Sequence, residues 1–417
     1  MADPGHSFYI IAGEPSGDNL GADLMVALQA EGPAEFHGVG GMQMQGAGLQ
    51  SLFEMSELTV MGLSEVLPKL PNLVRRIRHT AEDVITRRPN ALITIDSPDF
   101  TLRVAAKVKK ALPDLKVIHY VAPSVWAWRP GRAAKMARHV DHVLALLPFE
   151  PPFMHAAGMS CDFVGHPIAA WPEPSAEDLA AYRTALSIGA DQKALLVALG
   201  SRRGEVRRLT PVFKEAIALL RQKIPDLALI VPVAETVQAE VRAAFRDVQG
   251  DVHLLPDLRS QSDKLLAFGS ADAALCASGT ITLELASAGT PMVAAYRTTW
   301  MTAQIVRRVI KINTANLINL ISGRLVVPEF LQEFATPASL RSALDPLLAG
   351  GEAAAQQQAA FQDVMSAMGR GGPRPEMRAA SSVLSVLAGD RPRPRPGPVP
   401  TDIRPGPTER HGGRRGI

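Results

Sequence analysis

Short apolar runs alternate along most of the chain with longer segments in which apolar residues recur every three or four positions. The short runs are typical of buried parallel strands, and the longer segments are typical of helices that pack against such strands. Nine runs fit the strand pattern: residues 7–12, 91–95, 116–121, 143–148, 194–199, 227–233, 252–255, 273–277 and 292–296. Strands that alternate with helices in this way predict an α/β chain of two consecutive Rossmann-like domains.

Changes in pattern divide the chain into four parts. Residues 1–170 hold the first series of strands, and residues 171–337 hold the second. Residues 338–390 are rich in Ala and Gln and predict helices, broken at 369–375, that pack back across the two halves. Residues 391–417 alternate Arg with Pro and contain few apolar residues, so we predict a disordered tail there.

Composition and charge exclude several classes of protein. With 417 residues, of which 47% are hydrophobic, the chain can fill two domain cores. The formal net charge is +3, but residues 391–417 contain seven Arg and only two acidic residues, so the rest of the chain is slightly acidic. We therefore expect no binding of nucleic acid, which requires a basic footprint.

Cysteine content and hydropathy predict the compartment. The two cysteines, Cys161 and Cys276, are too few for a disulfide framework or a metal cluster, and they fit a reducing environment. The N-terminus lacks the features of a signal peptide, and no apolar run approaches the ~20 residues that cross a bilayer. We expect a cytoplasmic protein whose contact with membranes is peripheral.

The stretch 271–291 carries the clearest candidate chemistry. The apolar run 273–277 is followed by Ser278, Gly279 and Thr280 and then by a helix that contains Glu284. If Thr280 caps this helix, the free N–H groups at its start can face phosphate while the Glu284 carboxylate accepts from a diol. This pattern outlines a nucleotide-sugar pocket. In the alternative interpretation, the hydroxyls only cap a helix and Glu284 only faces solvent.

A similar turn follows the first strand of the second half. Gly200 and Ser201 lead into Arg202 and Arg203 at the start of a helix. A guanidinium can bind two oxygens of a diphosphate, and the start of a helix favours anions. An exposed basic turn is the weaker alternative.

The loop after the first strand of the chain contains Gly13, Ser16, Gly17 and Asp18. It matches neither the dinucleotide fingerprint nor the P-loop. It can bind a phosphate or a sugar hydroxyl at the start of a helix, or it can be a tight turn in which Asp18 caps that helix.

Two further loops follow strands of the first half. Asp96 comes directly after the run 91–95, at the edge where open parallel sheets bind ligands, and is a candidate base. Asp99, just after a proline, is better placed to start a helix, and both acids can equally serve the turn alone. The next loop holds Ser124, Trp126 and Trp128. Its rings can form a wall for a sugar or an acyl chain, although tryptophans are ordinarily buried by packing.

Three other segments are less specific. Residues 61–79 place apolar residues at helical spacing beside Lys and Arg, which fits either an anionic membrane surface or a core stripe with a basic rim. Because Pro68 and Pro71 interrupt the pattern, we predict a continuous helix only after Pro71. Residues 300–311 predict another helix, and residues 316–323 predict a polar loop in which Asn319 is the best candidate to bind a ligand.

Nine segments together resemble one protein family. They are AGEPSGDNLGA (12–22), VMGLSEVL (60–67), IDSPDF (95–100), IHYVAPSVWAWRPGR (118–132), LPFE (147–150), GHP (165–167), LGSRRGEV (199–206), ASGTITLE (277–284) and NLISGR (319–324). In order and spacing they resemble the lipid-A-disaccharide synthases, glycosyltransferases that assemble the lipid A of lipopolysaccharide for the Gram-negative outer membrane. Arg203-Gly204 and the Arg/Pro tail depart from that family's pattern.

The resemblance implies a B-type glycosyltransferase fold, in which the N-terminal half takes the acceptor and the C-terminal half holds UDP across a cleft. It implies transfer of 2,3-diacylglucosamine from UDP to the 6-hydroxyl of 2,3-diacylglucosamine 1-phosphate (lipid X), which gives a β-1′,6 disaccharide 1-phosphate and UDP. It also implies no metal and no other cofactor, peripheral association with the cytoplasmic face of the inner membrane, and compatibility with an intertwined homodimer.

The resemblance also assigns roles to residues. It implies that Asp96 and Arg202 are the essential residues. Inversion at the donor sugar needs a base on the face opposite UDP, which Asp96 can be. Arg202 and the N–H groups of the turns at Ser201 and 278–280 can stabilise the departing UDP. Glu284 would hold the ribose, and Asn319 would approach the pocket, with the partner subunit as its source in a dimer.

Two other functions stay open at this point. A UDP-sugar 2-epimerase of the same fold would keep a similar nucleotide pocket but would need no entrance for acyl chains. A non-catalytic protein that binds UDP-sugars or membranes is the third interpretation. Analysis of the products separates the three, because only the transferase forms a disaccharide from two acylated sugars.

Overall fold

A computed structural model describes residues 5–58, 63–125, 131–256, 258, 260–299 and 314–400, with only the backbone for residues 63–70. The described residues form two compact units. The first holds the chain up to Pro167 and again from Gly371, and the second holds Ile168–Arg370. Each unit contains one parallel sheet whose strands alternate with helices, so the prediction of two Rossmann-like domains is confirmed.

The sheet of the first unit has seven parallel strands in the order β3-β2-β1-β4-β5-β6-β7. Their bounds are β1 His6–Ala12, β2 Ala34–Val39, β3 Gln50–Ser51, β4 Ala91–Ile95, β5 Lys116–Tyr120, β6 His142–Ala145 and β7 Ser160–Phe163. The order reverses beside β1, where β1 lies between β2 and β4. In open parallel sheets this reversal is where ligands bind, at the carboxyl ends of the strands.

The sheet of the second unit has six parallel strands in the order β10-β9-β8-β11-β12-β13. Their bounds are β8 Ala194–Ala198, β9 Ala228–Pro232, β10 Val252–Leu255, β11 Ala273–Ala277, β12 Met292–Tyr296 and β13 Glu329–Leu331. Here the order reverses beside β8, which lies between β9 and β11. This unit therefore offers its own site at the carboxyl ends of β8 and β11.

The α-helices of the described residues are α1 Pro15–Glu31, α2 Met42–Gly46, α3 Leu63–Arg87, α4 Pro98–Ala111, α5 Gly131–Met136, α6 Pro151–Ala156, α7 Ala176–Ala185, α8 Arg203–Arg221, α9 Gln238–Phe245, α10 Gln261–Gly269, α11 Ile281–Ser287, α12 Leu317–Ser322, α13 Pro337–Leu348, α14 Glu352–Ala367 and α15 Pro375–Ala388. Each unit has its own core of aliphatic and aromatic side chains from its strands and helices. Of the predicted crossover helices, α13 and α14 lie in the second unit, and α15 lies in the first.

Two predictions about helices are wrong. Helix α3 starts at Leu63 and runs through both Pro68 and Pro71. A proline removes one hydrogen bond from a helix without always ending it, and α8 and α13 likewise contain Pro211 and Pro346. The segment predicted as a polar loop at 316–323 is helix α12. The predicted helix at 300–311 lies outside the described residues.

The prediction of a disordered tail is wrong for its first part. Arg391 Nε lies 2.7 Å from Asp162 Oδ2, and Arg393 Nε donates to the carbonyl of Gly158 at 2.9 Å. The Gly397 N–H donates to the carbonyl of Ala156 at 3.1 Å. Residues 391–397 are thus held on the first unit by charge and hydrogen bonds, which hydrophobic composition does not predict. Residues 401–417 lie outside the described residues.

Candidate functional site

A cavity of about 570 Å³ opens at the carboxyl ends of β8, β9 and β11 in the second unit. Seven residues predicted to bind a nucleotide sugar line it: Gly200, Ser201, Arg202, Ser278, Gly279, Thr280 and Glu284. They come from two loops about 80 residues apart in sequence, which the adjacent strands β8 and β11 bring together. The structure thus gathers one predicted cluster in one pocket.

The loop after β8 depends on a glycine. Gly200 has φ +93°, which disfavours any other residue, and a Cβ there would lie 2.5 Å from Glu205 Oε2, so that a side chain would also displace the Glu205 carboxylate. The same Glu205 lies 3.6 Å from Arg202 Nη1, and Thr236 Oγ1 donates to the carbonyl of Ser201 at 2.8 Å. These contacts fix the loop at the start of α8.

Arg202 is the N-cap residue of α8, and its side chain is 80% exposed. It has the freedom to turn its guanidinium toward an anion at the start of a 19-residue helix, where free N–H groups also favour negative charge. Its neighbour Arg203 is paired with Glu240 at 2.9 Å. Of the two arginines, Arg202 is therefore the one that faces the pocket.

The turn after β11 is held by its backbone and by Ser278. The Ser278 N–H donates to the carbonyl of Ala295 at 3.0 Å, and Ser278 Oγ donates to Glu329 Oε1 at 2.7 Å. Thr280 occupies the predicted N-cap position of α11, but its side chain makes no capping hydrogen bond. Its hydroxyl is therefore not committed to the helix.

Glu284 lies on α11, as predicted, and forms an ion pair that the sequence did not reveal. Its Oε1 accepts from Lys264 Nζ at 2.8 Å, and both side chains remain partly exposed in the pocket wall. Lys264 lies on α10, and no motif or spacing links it to Glu284. Only the packing of α10 beside α11 brings the cation to the site.

Asn319 is buried within its own segment and does not line the pocket. Its Oδ1 accepts from the N–H groups of Val326 and Val327, both at 2.8 Å. Its Nδ2 donates to the carbonyl of Val327 at 2.9 Å and contacts Thr314 Oγ1 at 3.3 Å. In this arrangement Asn319 joins α12 to the strand that follows it.

Left-handed backbone clusters at the carboxyl edge of the first sheet. Asp96 and Ser97 follow β4 with φ +46° and +44°, and Val121 follows β5 with φ +80°. Such values are uncommon for residues other than Gly and are costly for a β-branched side chain. Strain of this kind concentrates at ligand sites. Two neighbouring loops of the first sheet therefore point to a second site.

The backbone of Asp96 is fixed on both sides. Its N–H donates to the carbonyl of Tyr120 at 3.1 Å, and its carbonyl accepts from Thr101 Oγ1 at 2.7 Å. The carboxylate is half-buried, and no other residue of the described part of the chain forms a hydrogen bond or ion pair with it. This geometry is consistent with a base that is held rigidly and is available to a ligand. Asp99 lies in the first turn of α4.

The loop that contains Gly13 packs directly against this acid-bearing turn. A Cβ on Gly13 would lie 2.5 Å from Ser97 Oγ, and a Cβ on Gly17 would lie 3.4 Å from Ile95 Cγ2. Ser16, at the start of α1, is exposed. Of the predicted acceptor wall, Ser124 is exposed after β5, whereas Trp126 and Trp128 lie outside the described residues.

Asp18 has a different role from both that we considered. It lies within α1 and is buried, and its two oxygens accept from the N–H groups of Gly41, Gln43 and Met44 at 2.8 to 3.1 Å. It therefore caps α2 and not its own helix. With both oxygens occupied by backbone donors, it joins α1 to α2, and the prediction of a phosphate or sugar contact finds no support in its surroundings.

Helix α3 shows one face buried and one face basic over residues 71–87. Ile77, Ala81 and Val84 are buried, whereas Val74 and Arg78 are exposed. The part of the chain with described side chains thus fits the core stripe with a basic rim. No helix among the described residues is both long and apolar enough to span a membrane. The same residues contain no cluster of three or more metal-ligating side chains.

Comparison with known proteins covers most of the chain. The model of a family described as lipid-A-disaccharide synthetase matches residues 8–381. The chain is similar to a lipid-A-disaccharide synthase of Ruegeria pomeroyi, with 50% identity over 387 residues that cover 91% of this chain and 95% of the relative. The range matched by the family model contains every loop described above.

Solved structures show the same architecture at low identity. A putative UDP-N-acetylglucosamine 2-epimerase from Listeria monocytogenes superposes with a TM-score of 0.58 and 13% identity, over 93% of this chain and 98% of that one. The calicheamicin glycosyltransferase CalG4 superposes with a TM-score of 0.51 and 15% identity, over 93% and 99%. At such identities these matches establish the fold alone.

Proposed function

The chain belongs to the lipid-A-disaccharide synthase family and is a glycosyltransferase of lipid A biosynthesis, and from that premise we propose its substrates and the roles of its residues. The donor would be UDP-2,3-diacylglucosamine and the acceptor 2,3-diacylglucosamine 1-phosphate. The products would be the β-1′,6 disaccharide 1-phosphate and UDP. The observation that carries this proposal is the match of the family model to residues 8–381, a range that contains Asp96, Arg202 and Glu284, together with 50% identity to one relative over 91% of the chain.

In the proposed mechanism Asp96 is the general base. The attacking 6-hydroxyl gives its proton to the Asp96 carboxylate as its oxygen bonds to C1 of the donor sugar and the bond from C1 to UDP breaks. The strained turn at Asp96 and Ser97 supports this role, because it presents a carboxylate without a partner in the described part of the chain.

The second unit would bind the donor. Arg202 and the start of α8 would neutralise the charge that grows on UDP as it leaves, and Glu284 would accept hydrogen bonds from the ribose. The pocket that gathers Arg202, Ser278 and Glu284 supports this assignment. Gly200 and Ser201 contribute the backbone of the loop, so that their role would be in its shape more than in their side chains.

Product analysis tests the proposal. Purified protein is incubated with both acylated sugars and with each one alone, and the lipids are identified by mass spectrometry. We expect a disaccharide 1-phosphate and UDP only when both sugars are supplied. A free sugar or a 2-epimer formed from the donor alone would favour the epimerase, and no turnover under any condition would favour the non-catalytic alternative.

We further propose peripheral association with the cytoplasmic face of the inner membrane, because both substrates would carry acyl chains held in a bilayer. The exposed basic residues of α3 support contact with anionic lipid. Flotation with anionic and with neutral vesicles tests this, and equal binding to both would contradict it. The homodimer is an expectation of the family resemblance, which light scattering of the purified chain tests.

A further inference from the structure

A chain of hydrogen bonds connects the pocket wall to a carboxylate behind it. Ser278, which lines the pocket, donates to Glu329 Oε1 at 2.7 Å. The other oxygen, Glu329 Oε2, accepts from Thr314 Oγ1 at 2.7 Å and from the Ala315 N–H at 3.0 Å. Among the described residues no cation pairs with Glu329, so neutral donors alone satisfy this acid.

The direction of the first bond follows from the chemistry of its partners. A carboxylate has no proton to give, so the only proton of the Ser278 hydroxyl points at Glu329. The Ser278 N–H is also occupied, because it donates to the carbonyl of Ala295. What Ser278 can offer the pocket is therefore a lone pair.

We propose that Glu329 is a positioning residue that makes Ser278 a hydrogen-bond acceptor for an O–H or N–H group of the nucleotide sugar. This rests on the proposed function, since it specifies how the donor pocket recognises its ligand. A lone pair repels phosphate oxygens, so the diphosphate lies away from the Ser278 hydroxyl, toward Arg202. Groups of the ligand that carry hydrogen, such as the sugar or ribose hydroxyls, lie against it.

Glu329→Gln reverses the direction of the hydrogen bond to Ser278 and keeps the size and shape of the side chain. The backbone N–H of Ala315 is fixed and needs an acceptor, so the carbonyl oxygen of the new amide takes that side. The NH₂ group then faces Ser278 Oγ and donates to it. As a result, the Ser278 proton turns toward the pocket, where it opposes a donor group of the ligand.

The test is equilibrium binding of a short-chain UDP-diacylglucosamine analogue by calorimetry to the full-length protein. We expect Glu329→Gln and Ser278→Ala each to weaken binding about tenfold, the usual cost of one hydrogen bond in a site. The double variant should bind no more weakly than Ser278→Ala alone, because Glu329 acts only through Ser278. Glu352→Gln, which changes an exposed acid of the same unit that also holds one side-chain bond, should bind like the wild type.

Three results would overturn the inference. The melting temperature of Glu329→Gln shows whether this variant folds. If it folds and binds the analogue like the wild type, Glu329 does not set the orientation of the Ser278 hydroxyl. Ser278→Ala binding like the wild type would show that no ligand group uses this oxygen, whatever Glu329→Gln does. If the losses of affinity in the two single variants multiply in the double variant, Glu329 and Ser278 act independently. Wild-type protein that fails to bind the analogue would instead contradict the proposed function.

Discussion

At the scale of single residues, helix packing balances a negative charge in the proposed donor pocket. Glu284 can accept from both hydroxyls of a diol with its two oxygens when it is a carboxylate, and a carboxylate near a diphosphate repels it. Lys264 Nζ, 2.8 Å from Glu284 Oε1, offsets that charge from the neighbouring helix. The Glu284 carboxylate can therefore accept from hydroxyls close to the diphosphate without weakening the binding of the diphosphate.

We expect Lys264→Met to weaken binding of UDP about tenfold, because the charge of Glu284 then faces the diphosphate unbalanced. Lys264→Arg keeps the cation and should stay within a few-fold of the wild type. Titration calorimetry with UDP measures both. Equal, unchanged affinity in the two variants would show that Lys264 has no role in the pocket.

Individual residues differ in how far the sequence could predict them. Gly200, Arg202 and Ser278 lie in the loops that follow β8 and β11, and Glu284 lies in the first turn of the helix after β11, so the pairing of these two strands brings them together. Lys264 comes from the middle of a helix, and only helix packing places it. Asp18 shows the reverse: its position in the loop predicted a ligand contact or a cap of α1, and the tertiary fold gave it the N–H groups of α2.

At the scale of elements, capping residues indicate a helix where the polarity of the segment suggests a loop. The segment 316–323 is punctuated by polar residues, but Asn316 accepts from the Ile318 N–H at 2.9 Å and Gly323 has φ +68°, the arrangement of a capped helix. Polar contacts also order the first part of the tail. Asp162 Oδ2 in β7 accepts from both Arg391 and Ser382 of α15, so this carboxylate joins the start of the tail and the last helix to the sheet.

Arg391→Ala should lower the free energy of unfolding of the first unit by about 1 kcal/mol, the upper range for a partly exposed ion pair. That corresponds to a decrease of about 2–4 °C in melting temperature for a unit of this size. Arg395→Ala is the matched control, since Arg395 is exposed and forms no ion pair within the described residues. Equal melting temperatures for the two variants would mean that the Arg391 contact contributes nothing.

At the scale of the whole molecule, burial makes stability depend on pH. Burial lowers the pKa of His119, His142 and His166 to about 4 each, and nearby charges modify this for His119 (Arg132) and His142 (Asp162). An unfolded imidazole has a pKa of about 6.5. Between these values the unfolded chain binds more protons, so the contribution is complete above pH 6.5 and is lost as the pH falls toward 4.

We therefore expect the melting temperature to decrease steadily from pH 7 to pH 5. His119→Gln removes one buried imidazole and should make this decrease less steep than in the wild type. One such group changes the free energy of unfolding by at most about 1.4 kcal/mol per pH unit. His6→Gln, at an exposed position, should leave the slope unchanged. A melting temperature that does not vary over this range would contradict the burial of these side chains.

The division into two sheets also belongs to this scale, and the alternation of apolar runs with helical segments predicted it. Strands such as β4 and β11 are fully buried, and Thr94 in β4 is their only polar residue, so their bounds matched the prediction. Strand β2, with Glu35 and His37 among its residues, is mixed in polarity, and neither it nor the short β13 was predicted. The polar residues of β2 hide its strand pattern although it lies inside the sheet, and β13 is an edge strand of three residues, too short to give a clear pattern.

The central claim is that Asp96 performs the chemistry and the pocket of the second unit binds the donor. The most direct test is to measure, for Asp96→Asn, both the rate of disaccharide formation and the affinity for the UDP-sugar, with Asp99→Asn as control. We predict that turnover falls about 10²- to 10⁴-fold while donor affinity stays within about twofold of the wild type, and that Asp99→Asn remains active. Normal turnover in Asp96→Asn would contradict the account.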